Sequence, residues 1–102
     1  MRLKLNGYVA ADADKEIYQW WGLSAFSPQD VRDALEQLPE GEMLTLEINC
    51  NGGDVWAGGE IYSVLRGSNA DTAAEIQSLA SSAAPYIAIG CNRVLISPVA
   101  QM

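Results

Sequence analysis

The sequence predicts an α/β fold, with helices crossing over a sheet. Three observations predict it. Leu44, Leu46 and Ile48 alternate with Thr45 and Glu47 at the period of a strand, while Val31, Ala34, Leu35 and Leu38 recur at the period of a helix. Two strand-like runs lead into helix starts, one through Gly52-Gly53-Asp54 and one through Ser81-Ser82-Ala83. A chain of 102 residues that is 49% apolar is also large enough for one core and too apolar for disorder. The chain is therefore read as a single domain spanning residues 1–102.

In chain order, Arg2 to Val9 reads as a strand with Leu3 and Leu5 on one face. Ala10 to Lys15 is small and acidic and reads as a loop. Ile17 to Trp21 is aromatic, which suits a strand or the floor of a pocket. Trp20 and Trp21 read as packing at a core edge, because indoles dominate core burial; a partner surface is the alternative. Ser27-Pro28-Gln29-Asp30 is a helix start. Ser27 can cap, Pro28 suits the first helical position, and Asp30 places negative charge in the first turn. Pro39-Glu40-Gly41 stops that helix. Met43 to Asn49 is the next strand, and Asn51-Gly52-Gly53-Asp54 reads as a turn.

Val55 to Arg66 is the following helix, with Val55, Ile61, Tyr62 and Leu65 on its inner side. Gly58 and Gly59 cost stability early in it, which points to a close backbone approach or to loose packing. Gly67-Ser68-Asn69 ends it. Ala73 to Gln77 is a short strand, Ser81 or Ser82 starts a helix running through Ile89, and Arg93 to Ile96 is a last strand before Ser97-Pro98.

Composition excludes several functions. The formal net charge is −7 and Lys and Arg number only six, so nucleic acid is not an expected partner. No apolar run reaches membrane-spanning length. The first residues do not form a signal peptide, so Cys50 and Cys91 are expected as reduced thiols in a cytoplasm. No metal site and no cofactor is expected.

Two places could carry chemistry. Gly52-Gly53 after a strand permits close approach of a substrate to the main chain, and its N–H groups suit an oxyanion. The plainer reading is a strand-to-helix turn that needs glycine. Ser81 and Ser82 lie among small residues at a helix N-terminus, where a hydroxyl is accessible and the helix dipole favours an oxyanion. The plainer reading there is an N-cap. The chain has no histidine, so a serine–histidine pair is incomplete within these residues.

Together these segments resemble one family. Ile48-Asn49-Cys50-Asn51-Gly52-Gly53-Asp54-Val55, then Ala57-Gly58 and Ile61-Tyr62, resembles the "IN-S-P-G-G-x-V-x-A-G-x-x-I-Y" stretch of the Clp protease proteolytic subunit. Leu79-Ala80-Ser81-Ser82-Ala83-Ala84-Pro85-Tyr86-Ile87-Ala88 resembles the nucleophile turn of phage-encoded, Clp-like head maturation proteases. Ser97-Pro98-Val99-Ala100-Gln101-Met102 resembles their "S-P-x-A-x-M", which runs into "M-I-H". The resemblance spans about Phe26 to Met102. Cys50 and Asn51 replace the family's Ser-Pro, and Pro85 stands where the phage pattern often has serine.

The resemblance implies a Clp/crotonase-like spiral of β-β-α units, with the C-terminal part incomplete. It implies that the helices after Gly53 and after Ser82 pack side by side. Counting back from Ser97-Pro98 puts the nucleophile on Ser82; counting back from Gly90 puts it on Ser81. Ser82 is the expected nucleophile, Ser81 the alternative. The N–H groups of Gly53 and Ala83 are the expected oxyanion donors. The implied activity is that of a serine endopeptidase cleaving capsid or scaffold proteins, working as a homo-oligomer in the bacterial cytoplasm. Trp20, Trp21 and Tyr62 are candidates for contacts between copies. The family's histidine is expected beyond Met102, so these residues alone are expected to be inert. A cellular Clp-type subunit and a non-catalytic assembly domain on the same fold are the alternatives.

Overall fold

The computed structural model describes residues 1–77 and 84–96. Its elements are β1 (Arg2–Val9), α1 (Lys15–Trp20), β2 (Ala25–Phe26), α2 (Pro28–Gln37), β3 (Met43–Gly53), α3 (Val55–Arg66), β4 (Asp71–Ile76), α4 (Ala84–Ile89) and β5 (Arg93–Ile96). The strands form a parallel sheet of five in the order β2-β1-β3-β4-β5. The α/β class is thus as expected. Strands and helices alternate one for one among the described residues, in place of the expected strand–strand–helix repeat.

Strand order follows from the crossovers. The chain steps from β1 to one side to make β2, then returns across β1 to make β3 and continues to β4 and β5. Parallel neighbours need such crossovers, which are right-handed almost without exception. Reversing direction therefore moves the connecting helix to the other face. α2 packs on α3 and α3 on α4, while α1 sits against β2. Under α2, α3 and α4, Leu5, Val9, Leu44, Leu46, Ile48, Cys50, Ala74 and Ile76 meet Val31, Ile61, Leu65 and Ile87 in one core. Gly90 lets α4 come close to α3: a Cβ there would lie 3.2 Å from the Tyr62 Cα and from Leu65 Cδ1.

The helix starts hold for local reasons. Asp30 Oδ2 accepts from the Ser27 N–H at 2.9 Å, and Pro28 occupies the first helical position of α2. Asp54 caps α3, its Oδ1 accepting from the N–H groups of Trp56 at 2.8 Å and Ala57 at 3.3 Å. Along α3, Ile61 and Leu65 are buried as expected, whereas Val55 is exposed and Tyr62 half-buried beneath the Arg66 guanidinium. Gly58 is buried, and a Cβ on Gly59 would meet nothing within 4 Å among the described residues.

Residues 17–21 depart from expectation. Ile17 to Trp20 belong to helix α1 instead of a strand, and that helix buries no residue, while Gln19 lines a shallow pocket beside β1. Trp20 and Trp21 are 81% and 70% exposed, which overturns the packing reading. The two rings meet edge to face at 5.4 Å. The helix ends in a Schellman motif: the Gly22 N–H bonds to Gln19 O, the Leu23 N–H to Tyr18 O, and Gly22 takes φ +80°. The Lys15 ammonium holds Asp30 at 2.7 Å and ties α1 to the start of α2.

Candidate active site at the carboxyl edge of the sheet

Gly52 and Gly53 are the last residues of β3 and stay in the ladder with β1, Tyr8 opposite Gly52 and Val9 opposite Gly53. The expected free turn is therefore a strand end. Its geometry requires glycine. Gly53 has φ +124°, and a Cβ there would lie 2.1 Å from Val9 O. The Asp54 N–H closes the edge by donating to Val9 O at 2.9 Å.

Just before the glycines the ladder slips. Gly7 pairs with Cys50 and Tyr8 with Gly52, so Asn51 is an extra residue on β3. Such bulges, rare between parallel strands, bend a strand and re-aim side chains, and they are over-represented next to active sites. Sequence reading missed the bulge, because register depends on a partner strand more than 40 residues away. Directly after the glycines, Asp54 caps α3 and turns its carboxylate into the helix, while Trp56 projects outward at 89% exposure. Asp54 thus has a structural use.

Gly53 is the one expected site residue the structure positions. Ser81, Ser82 and Ala83 lie outside the described residues. The described chain resumes at Ala84, the buried first residue of α4, which packs against α3.

Both thiols are buried, and Cys91 lies at the other end of the sheet, beside Thr72 at the start of β4. Cys91 is buried, and burial pushes its thiol up to about 11, so it stays protonated and weakly nucleophilic at neutral pH. Cys50 is buried in β3 with its Sγ 3.6 Å from Gly52 O. Among the described residues, no group of His, Cys, Asp and Glu is placed to hold a metal ion. No helix among them is long and apolar enough to cross a membrane.

Residues 33–102 match the family model described as Clp protease. The chain belongs to the Clp protease family. That match takes in both Gly53 and Ser82, and it begins after β1, α1 and β2. No curated protein and no solved structure matches the chain significantly. Membership points to peptidase chemistry and fits the α/β architecture seen here.

Proposed function

We propose that this protein is a serine endopeptidase in which Ser82 is the nucleophile and the N–H groups of Gly53 and Ala83 stabilise the oxyanion. The observation that carries the reading is a family match whose span takes in both the Gly53 strand end and the Ser82 segment. The build of Gly53 supports it: a strand end with φ +124° at the carboxyl edge leaves no room for any side chain. Ser82 Oγ would attack a peptide carbonyl as a histidine takes its proton; the histidine would return that proton to the leaving amine as the C–N bond breaks, and water would then release the acyl group from Ser82. These 102 residues contain no histidine, so that base comes from elsewhere.

The phage-like motif order carries the finer reading. It favours head maturation, with capsid or scaffold proteins as substrates and a homo-oligomer in the host cytoplasm as the working form. Exposed Trp20 and Trp21 suit a contact between copies. The test is labelling by a serine-directed fluorophosphonate, on protein expressed from the gene read past Met102 and mapped by mass spectrometry. Ser82 takes the label, and Ser82→Ala abolishes cleavage with the fold intact, since loss of a nucleophile costs orders of magnitude and loss of a cap only about 1 kcal/mol. Label on Ser81, with Ser82→Ala still active, would shift the register by one residue. Label on neither would favour the non-catalytic assembly domain.

A further inference from the structure

The reversal of chain direction lies between β1 and β3. In open parallel sheets, ligand crevices form at such a point, outside the carboxyl ends of the strands. A crevice of about 330 Å³ lies there, lined by Asn6, Gly7 and Tyr8 of β1, Asn49 and Asn51 of β3, and the turn Gly22-Leu23-Ser24. That size suits a short stretch of peptide or another small ligand.

The crevice is pinned by backbone. A Cβ on Gly7, whose φ is +90°, would lie 2.2 Å from Ser24 O, so only glycine lets the turn seat on the strand. The Tyr8 N–H holds that same Ser24 O at 2.9 Å. The Schellman hydrogen bonds of Gly22 and Leu23 fix the turn from its other side. Walls fixed in this way lower the ordering cost of binding.

Its chemistry is neutral. Among the described residues no Asp, Glu, Lys or Arg lines it, although the chain has a net charge of −7. A phosphate or carboxylate would meet no cation, and a cation no carboxylate. The Asn6 and Asn51 amides are exposed and have no hydrogen-bond partner among the described residues. A carboxamide offers two donors and an acceptor, which matches the peptide group. Asn51 is the bulged residue and lies two positions before Gly53, roughly 7 Å along the strand. A chain that extends from the crevice past Asn51, along β3, runs toward Gly53. Exposed Leu23, with Trp20 and Trp21 just before it, offers apolar surface for side chains.

We propose that this crevice is a docking subsite for the extended, uncharged main chain of a peptide substrate; the inference rests on the endopeptidase reading of the adjacent edge. Residues 6–8 and 22–24 of its lining precede the family match at residue 33, and Asn49 and Asn51 lie within it.

The test uses a blocked, uncharged, extended peptide, with binding read from tryptophan fluorescence. Ser82→Ala protein serves as host, so hydrolysis plays no part. Asn6→Leu and Asn51→Leu should each weaken binding about fivefold, the loss of one or two hydrogen bonds. N-methylation of the peptide should weaken it similarly, and far-ultraviolet dichroism should stay unchanged. Equal affinity of both variants and the parent overturns the proposal, as does a preference for a neutral oligosaccharide over the peptide. In cleaving enzyme, Asn51→Leu should raise KM more than it lowers kcat. Cleavage with KM unchanged would sink the subsite and leave the endopeptidase standing; Asn51-dependent binding without cleavage would do the reverse.

Discussion

On one face of the sheet, Leu5, Ile48 and Ile76 form a row across β1, β3 and β4, sealed from solvent under the helices. On the other face, their chain neighbours Lys4, Glu47 and Glu75 form a row of charges that is exposed or half-buried. Parallel sheets are usually covered on both faces, and their strands then read as unbroken apolar runs. Here β3 alternates, because among the described residues three helices pack on one side and only the short α1, which buries nothing, serves the other. The contrast separates two tasks. The covered face holds the fold. The open face carries polar groups whose cost in stability is small, and so is free to host recognition, the role we propose for the crevice at its carboxyl edge.

The largest expected difference between the faces comes from Leu46→Ala. Leu46 is fully buried between Leu3 and Ala74 in the covered layer. Truncation should cost about 2–5 kcal/mol, the transfer loss plus the cavity left behind. Lys4→Ala on the open face should change stability by less than about 0.5 kcal/mol. Urea denaturation of both variants measures the gap. Similar midpoints would mean that the open face is covered in solution.

The same contrast explains what was legible in the sequence. The helix α2 was readable because its signals are local: Ser27, Pro28 and Asp30 at the start, then buried Val31 and Ala34 at helical spacing. The middle of β3 was readable because one buried face imposes period two. The α1 segment was misread, since its aromatic residues favour strands and cores, while Gly22 just beyond Trp21 was the overlooked stop signal. Two-residue β2 has no pattern to find. Gly52-Gly53 was legible as a place needing glycine but not as part of a ladder, because pairing with β1 and the Asn51 bulge are long-range facts. Motif order carried Ser82, and the family match covers it, but Ser82 lies outside the described residues.

A middle-sized effect is expected where the open face meets the crevice. Gly7→Ala puts a methyl into Ser24 O and forces a φ that alanine disfavours. The cost should be about 1–3 kcal/mol, with the Gly22–Ser24 turn displaced. Denaturation gives the cost, and fluorescence of Trp20 and Trp21 reports the turn. A stable Gly7→Ala protein with unchanged fluorescence would show that the turn is not seated on β1 as described.

The smallest effect concerns the charged row, and here its sign is the informative part. Glu47 and Glu75 are direct partners in the ladder, an arrangement that repels. Arg2 answers both, bonding Glu47 at 2.8 Å and also reaching Glu75. Gln77 Nε2 donates to the other Glu47 oxygen at 3.0 Å. The hydrogen bond from Arg2, then that from Gln77, lowers the Glu47 carboxyl below its ordinary range. A lowered carboxyl adds stability above its unfolded pKa of about 4.3 and loses it as pH falls through the folded value. Arg2→Gln should therefore lower the midpoint slightly at pH 7, less so in high salt, and not at all once both carboxyls are protonated. Adding Glu75→Gln should restore the loss at pH 7, because the repulsion goes with it. If the double variant is instead weaker than Arg2→Gln alone, the glutamates stabilise the strands by some other contact, and the open face takes a larger share in holding the fold than its exposure suggests.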